Sequence, residues 1–311
     1  MSNYHYLPQA STRMTLLIAG GSGFLGSALA KAFRAAGHRV MILTRRPQRD
    51  GDVLWSTKAS DTSWRHALER SDAVINLAGA SIAGRRWTPE RKREIRASRM
   101  EPTQALVSAI AAASRPPAVF VNASAIGFYG VHGDEALTEQ SPSGNDFLGS
   151  LCRDWETLAI EASSRSRVVL LRSGLVLARE GGALPQLALP FRFFAGGPVG
   201  TGRQYMSWIS IADWIGLVQW TLTRNHVSGP LNFTAPTPVT NAEFARTLGR
   251  VLSRPSFVPV AAVAMRLALG ELADALILGG QRVLPARVQA LGYEFIHETL
   301  EPALRQIYGR A

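Results

Sequence analysis

Cysteine is almost missing from this chain. Cys152 stands alone in 311 residues, which excludes an intramolecular disulfide and fits a reducing compartment. Lysine is nearly as scarce: Lys31, Lys58 and Lys92 are the only three. The net charge of +11 is therefore carried almost wholly by arginine. The arginines are scattered, with no basic tail and no aromatic-interleaved array. That argues against nucleic acid and for an anionic cofactor or substrate. No apolar run reaches the roughly 20 residues that span a bilayer, and the most apolar late stretch, 261–280, is broken by Arg266, Glu271 and Asp274. No membrane association is expected. Residues 1–13 lack a signal-peptide apolar core and read as a flexible leader, so cytoplasm is the expected compartment. The six histidines show no metal-ligand spacing, and no metal is expected. Internal repeats and low-complexity linkers are also missing.

What remains is a globular composition, 46% hydrophobic and 18% charged. Short aliphatic runs predict strands at 14–19, 39–43, 53–55, 73–77, 118–122 and 168–171. Helical spacing alternates with them at 24–36, 63–70, 89–113 and 147–163, and recurs at 211–223, 241–252 and 260–269. Such alternation predicts an α/β fold with a parallel sheet and right-handed crossovers. After about residue 180 the pattern loosens into Gly-Pro punctuation, including Gly196-Gly197-Pro198 and Gly229-Pro230. The expected organisation is a dinucleotide-binding domain over 14–235, with 180–207 contributing to a smaller lobe completed by 236–311.

"IAGGSGFLGSAL" joins the first strand to the first helix and carries Gly20, Gly23 and Gly26 as G-x-x-G-x-x-G. The first glycine permits a tight turn, the second a close pyrophosphate, the third close packing of helix on sheet. The helix N-terminus then offers partial positive charge to the phosphates. Ser22, Phe24 and Leu25, between the glycines, are further candidate contacts. The second strand ends in Thr44, Arg45 and Arg46, with no acid before Asp50. A carboxylate there would bind the ribose 2′-OH of NAD, whereas arginine suits a 2′-phosphate. NADP(H) is the expected cofactor.

With "VINLAGA" (Val74–Ala80) and "VNASAIGFYG" (Val121–Gly130), the chain resembles the extended short-chain dehydrogenase/reductases. These are NAD(P)-dependent epimerases and dehydratases. More narrowly, "AGRRWTPERKREIRASRMEPT", "FLGSLCRDWE", "LRSGLVL", "QYMSWISIADW" and "GGQRVLPARVQALGYEF" resemble an atypical branch, often described as epimerase-family or cell-division-inhibitor-like proteins. The resemblance covers about 14–303. It implies a Rossmann-type doubly wound sheet with a smaller C-terminal substrate lobe. It also implies that Leu77, Ala78 and Gly79 run under the cofactor's ribose and phosphates. Ser124 would orient a substrate carbonyl or hydroxyl, and Arg172, Ser173 and Gly174 would pass the nicotinamide.

Such enzymes normally pair a tyrosine with a lysine four residues on, the lysine lowering the tyrosine pKa and binding the nicotinamide ribose. Here the matching residues are Phe147 with Leu151, or Leu148 with Cys152, and none of the six tyrosines has lysine at that spacing. Ser124 and Tyr129 are the candidate catalytic residues. Phe147, Leu148, Leu151, Cys152 and Trp155 form one apolar stripe, which predicts a buried, poorly ionised thiol. Arg153, Asp154 and Glu156 read as a solvated face, as does the charge run opening the helix at 89–113. Asp213 reads as a helix cap. Two functions are expected: an NADP(H)-dependent oxidoreductase or epimerase-like enzyme on a small molecule, or a non-catalytic NADPH-binding protein acting through a protein partner or a second copy.

Overall fold

The computed structural model describes residues 12–58 and 61–309; most of the expected leader lies outside them. The aliphatic runs pair into one parallel sheet: β1 (Thr15–Ala19), β2 (Arg39–Thr44), β3 (Asp52–Leu54), β4 (Ala73–Asn76), β5 (Val119–Ala125), β6 (Arg167–Ser173) and β7 (Gly229–Phe233). Their order is β7-β6-β5-β4-β1-β2-β3. The central strands read as unbroken apolar runs because both faces are covered; Leu16, Leu17, Ile18 and Ala19 are all fully buried. The order switches direction between β1 and β4, the place at whose carboxyl strand ends open α/β sheets hold their ligands.

One face of the sheet is covered by α1 (Phe24–Ala35), whose Leu29 and Phe33 pack in the same core as Val40 and Ile75. On the other face lie α2 (Pro89–Ala112) and α3 (Phe147–Ile160), with Leu106, Ile110 and Ala159 packed against Val74 and Phe120. α2 begins where the sequence implied: the Thr88 side chain accepts from Arg91 N–H, and Pro89 occupies the first turn, where no intrahelical N–H is needed. α4 (Leu184–Arg192) carries Pro185 and Pro190, which masked its helical periodicity. α5 (Ile211–Thr223) returns to the first face and brings Trp214 and Val218 into its core.

A second core joins Leu177, Phe191 and Trp208 to Phe244 and Leu248 of α6 (Asn241–Leu252). Leu300 and Leu304 of α8 complete it, α7 being Ala262–Leu269 and α8 Leu300–Tyr308. The C-terminal residues do not form a detached unit. Val288 lies in the main core, and Leu291, Tyr293 and Phe295 pack against it. Glu139 ties them further, accepting backbone N–H groups from Asn232 at 3.0 Å and Arg287 at 3.1 Å.

β7 corrects the reading of Gly229-Pro230 as loop punctuation. β5 and β6 also run further than expected. Ser124 therefore sits within β5, opposite Arg172 of β6, and Arg172 and Ser173 lie inside their strand. Asp213 is not the cap of α5: Ser210 is, and the fully buried Asp213 accepts from the Ser210 hydroxyl and from the N–H groups of Ile296 and His297.

Candidate functional site

Gly20, at φ +78°, packs so closely on the next loop that a Cβ there would meet Leu77 O at 2.5 Å. A Cβ at Gly26 would strike Gly20 O at 2.3 Å. Both are glycines because backbone occupies the space. Gly23 differs: its Cβ would meet only Gly20 O, at 3.3 Å, and its outer side is open. Gly23 is also the N-cap of α1 and supplies no side-chain acceptor, and the first turn carries no acid. The first N–H groups of α1, beginning at Phe24 and Leu25, are left to a ligand. Exposed Ser22 borders this cradle, and the Phe24 ring is walled by Gly181 and Gly182, where a Cβ would lie 2.4 and 2.9 Å from it.

Beside the cradle, β2 ends at Thr44, whose hydroxyl accepts Arg46 N–H at 3.2 Å. The side chains of Arg45 and Arg46 are exposed and make no hydrogen bond or ion pair among the described residues. On the other side, Leu77, Ala78 and Gly79 leave β4 in a turn fixed by Asn76, whose Oδ1 accepts Ala78 N–H at 3.2 Å. Asn76 Nδ2 donates to Asn122 at 2.7 Å and Thr103 at 2.9 Å, so a buried polar clasp joins β4, β5 and α2. The donor set fits a dinucleotide: an open helix terminus for the pyrophosphate, flanked by backbone loops and two unpaired guanidinium groups.

Further along the strand ends, the structure assembles a network the sequence did not reveal. Glu156, expected on a solvated face, is 5% exposed. It is turned inward because Arg172 is there to meet it: Arg172 Nε and a terminal nitrogen donate to its two oxygens at 2.8 and 2.7 Å. Burial would lower the Arg172 pKa, but the Glu156 hydrogen bonds and charge hold it above its ordinary value. The guanidinium also lies 3.5 Å from the Phe128 ring centroid. Ser124 Oγ donates to Glu156 at 2.6 Å. Its proton is thus committed to a carboxylate, and the side chain is itself buried. Tyr129 is not poised as a proton donor. Its ring is fully buried, and its hydroxyl donates to Asn232 at 2.7 Å while accepting from Arg172 at 3.1 Å. Burial, foremost, raises its pKa. Trp214 Nε1 donates to Ser173 Oγ at 3.0 Å, and a Cβ at Gly174 would strike Ser207 O at 2.4 Å.

Two further features stand apart from this network. A cavity of about 550 Å³ lies between Tyr129–His132 and Pro142–Asp146, at the N-terminus of α3. The segment leading into α2 is bound to the C-terminal module: Arg86 donates to Leu267 O at 2.9 Å, and Lys92 pairs with Glu271 at 2.7 Å. No group of histidine, cysteine or carboxylate side chains suited to a metal ion occurs among the described residues.

Comparison with known proteins agrees with this geometry. Residues 16–232 match the family model described as the NAD dependent epimerase/dehydratase family. The chain belongs to that family. Residues 260–307 match a domain of unknown function (DUF1731). The epimerase family protein ML0860 of Mycobacterium leprae is 41% identical over 96% of this chain and 97% of its own length. The chloroplastic epimerase family protein SDR39U1 homolog of Arabidopsis thaliana is 40% identical over 96% of this chain and 88% of its own. The crystal structure of human epimerase family protein SDR39U1 (isoform 2) with NADPH superposes with a TM-score of 0.88, at 38% identity, over 96% of this chain and 100% of that one. The resemblance to an atypical short-chain dehydrogenase/reductase is thereby upheld.

The inner face of α3 is apolar. Leu151 and Cys152 are buried, and Phe147 stacks edge-on against Trp87 at 5.2 Å. The Cys152 thiol is pushed up to about 12, by burial first and then by the Glu156 carboxylate. As the apolar stripe predicted, the inner face of α3 holds a small buried hydrophobe there and not a nucleophile. The charge run of α2 is only partly solvated: Arg93 and Arg96 are exposed, whereas Arg91 and Arg99 fold back toward the carbonyls of Ser81 and Ala80.

Proposed function

We propose that this chain is an NADP(H)-dependent oxidoreductase or epimerase-like enzyme of a small molecule. The observation that carries the reading is the open glycine cradle at the N-terminus of α1, with the unpaired Arg45 and Arg46 one strand away. What supports NADP(H) over NAD(H) is the chemistry of that strand end: two guanidinium groups and no carboxylate. The NADPH in the human relative's structure supports the same choice. A bound nicotinamide would supply the hydride donor or acceptor. The protein's part is to hold it against a substrate at the strand ends, where Ser124 accepts a hydrogen bond from a substrate hydroxyl. The proton then passes through solvent or the substrate itself, since Tyr129 and Cys152 are both shut in. A single buried thiol suits a reducing compartment, and cytoplasm is the location we propose.

The test is a titration of NADPH and NADH. Arg45→Ala should weaken NADPH binding by roughly 1–3 kcal/mol, the loss of a hydrogen bond to a charged group, and leave NADH nearly unchanged. Equal losses, or tighter wild-type binding of NADH, would sink the assignment. Substrate-dependent NADPH oxidation decides for catalysis. A second reading rests on the enclosure of the Tyr129 hydroxyl and the Cys152 thiol: a non-catalytic NADPH-binding protein whose occupied form presents a surface to a protein partner. It predicts no NADPH turnover with any small carbonyl compound.

A further inference from the structure

Exposed apolar side chains are not spread evenly over this fold. Phe193, Phe194, Phe257, Val258, Val263 and Leu267 all stand in solvent, and all fall in two short stretches, 193–194 and 257–267. Phe257 is 79% exposed, although a phenyl ring is among the groups that gain most from burial. The two stretches are neighbours in space. After α4 the chain runs beside residues 256–260: Val258 N–H donates to Gly196 O at 3.0 Å and Val260 N–H to Pro198 O at 2.9 Å. A Cβ at Gly197 would collide with Val258 O, so backbone lies on backbone there. The Arg254 guanidinium lies 4.7 Å from the Phe194 ring centroid. α7 follows at once, and none of its residues is buried. Phe194 is also held at φ +59°, a left-handed conformation that a Cβ disfavours. The ring it presents is 59% exposed, so no burial offsets that conformation.

The charge around this surface is of one sign. Residues 183–270 hold seven arginines and two acids, Asp213 and Glu243. Asp213 is fully buried, and Glu243 lies in the first turn of α6. Arg250 and Arg266 pair with Glu301 and Asp274 at 2.9 Å each. Arg192, next to Phe193, and Arg254, stacked on Phe194, are exposed and pair with no carboxylate among the described residues. A second copy meeting this face about a twofold axis would bring the same arginines against them, like charge on like. A bilayer offers anionic headgroups, but they are fluid and give no fixed acceptor to a guanidinium held on a ring. An acidic segment of another protein offers carboxylates for forked contact and apolar side chains for the phenyl rings. Aromatic residues and arginine are also the groups enriched where proteins meet.

We propose that residues 192–194 and 254–267 form a docking surface for an acidic amphipathic helix of another protein. Such a helix would lay an apolar stripe on Phe193, Phe194 and Phe257 and set glutamate or aspartate beside Arg192 and Arg254. The proposal goes beyond the NADP(H) reading and stands without it.

The probes are two helical peptides of about 18 residues with the same leucine stripe, one carrying glutamate and the other lysine at the remaining positions. The glutamate peptide should bind the full chain at least about tenfold more tightly than the lysine peptide, and more weakly at high salt. Phe257→Ser, Phe194→Gly and Arg254→Glu should each weaken it by about tenfold or more. All three replace exposed side chains, and glycine relieves the backbone at 194, so the thermal transition should be kept. If one variant does not fold, the other two carry the comparison. A glutamate peptide that does not bind at about 1 mM overturns the proposal. Equal affinity for both peptides also overturns it, since that is apolar adhesion without charge selection. So does equal affinity of wild type and variants for the glutamate peptide, which would trace binding to the overall charge of +11. A wild-type dimer that Phe257→Ser dissociates would assign the surface to a second copy instead. Cosedimentation with phosphatidylglycerol vesicles, lost in the variants and without peptide binding, would assign it to a bilayer.

Discussion

Glu156 is the residue whose neighbours could not be read from the chain. It stands beside Arg153 and Asp154 in a charged run, and only the fold shows that Arg172, two strands' pairing away from any local signal, turns it inward. Sequence periodicity gives which face of a helix is apolar; it does not give the one charge that an opposite strand has paired. Cys152 is the contrary case, since its place in an apolar stripe foretold its burial. Its consequence is a pH effect. The folded chain holds the Cys152 proton up to about 12, against an ordinary value of 9.0. The unfolded chain therefore releases that proton first as pH rises, and the stabilisation, complete below the unfolded value, is lost between the two. Denaturant unfolding at about pH 8 and about pH 10.5 should show wild type losing about 2 kcal/mol more than Cys152→Ala over that interval. Tyrosines titrating in the same range are common to both proteins and cancel. Identical alkaline losses would show the thiol to be accessible and ordinary.

Among the elements, the glycine turn was the most legible, because three glycines in a strand–turn–helix context serve three separate geometric needs. The structure assigns those needs unequally, and a pair of substitutions separates them. Gly26→Val forces a side chain onto Gly20 O and should prevent stable folding, seen as a collapsed thermal transition. Gly23→Val meets only Gly20 O, at 3.3 Å, a contact that a small local shift relieves, so the protein should fold and bind no NADPH. Retained micromolar affinity in folded Gly23→Val would refute the cradle. The least legible elements were β7 and α4. Each contains proline, which normally argues against a regular element, and Pro230 and Pro185 are tolerated for a positional reason, whereas Pro190 lies inside α4. Pro230 lies in an edge strand and Pro185 in a first helical turn, where the missing N–H leaves no partner unsatisfied.

At the scale of the whole molecule, the loosened pattern after residue 180 does not reveal how deeply the last segment enters the main core. That knowledge needs three-dimensional contacts, since "RVQALGYEF" offers only a few apolar residues without sustained periodicity. Val288 fills the main core, while Leu300 and Leu304 fill the second. Removing residues from 286 onward should therefore not liberate an independent nucleotide-binding domain. Loss of buried aliphatic side chains from two cores, each worth about 2–5 kcal/mol, exceeds what a marginally stable fold tolerates. We expect an aggregated or protease-sensitive product; a truncated chain that unfolds cooperatively and binds NADPH would show the two lobes to be separable.

β7 has one more consequence, for assembly. Along its outer edge the alternating backbone would present the N–H groups of residues 230 and 232 to a newcomer. The first is a proline and has none; the second is already given to Glu139. The carbonyl of Pro230 is likewise taken, by Arg287 at 3.0 Å. At the far edge, β3 is only three residues long. A short β3 and a β7 whose outer groups at Pro230 and Asn232 are engaged both disfavour the pairing of copies of this chain edge to edge.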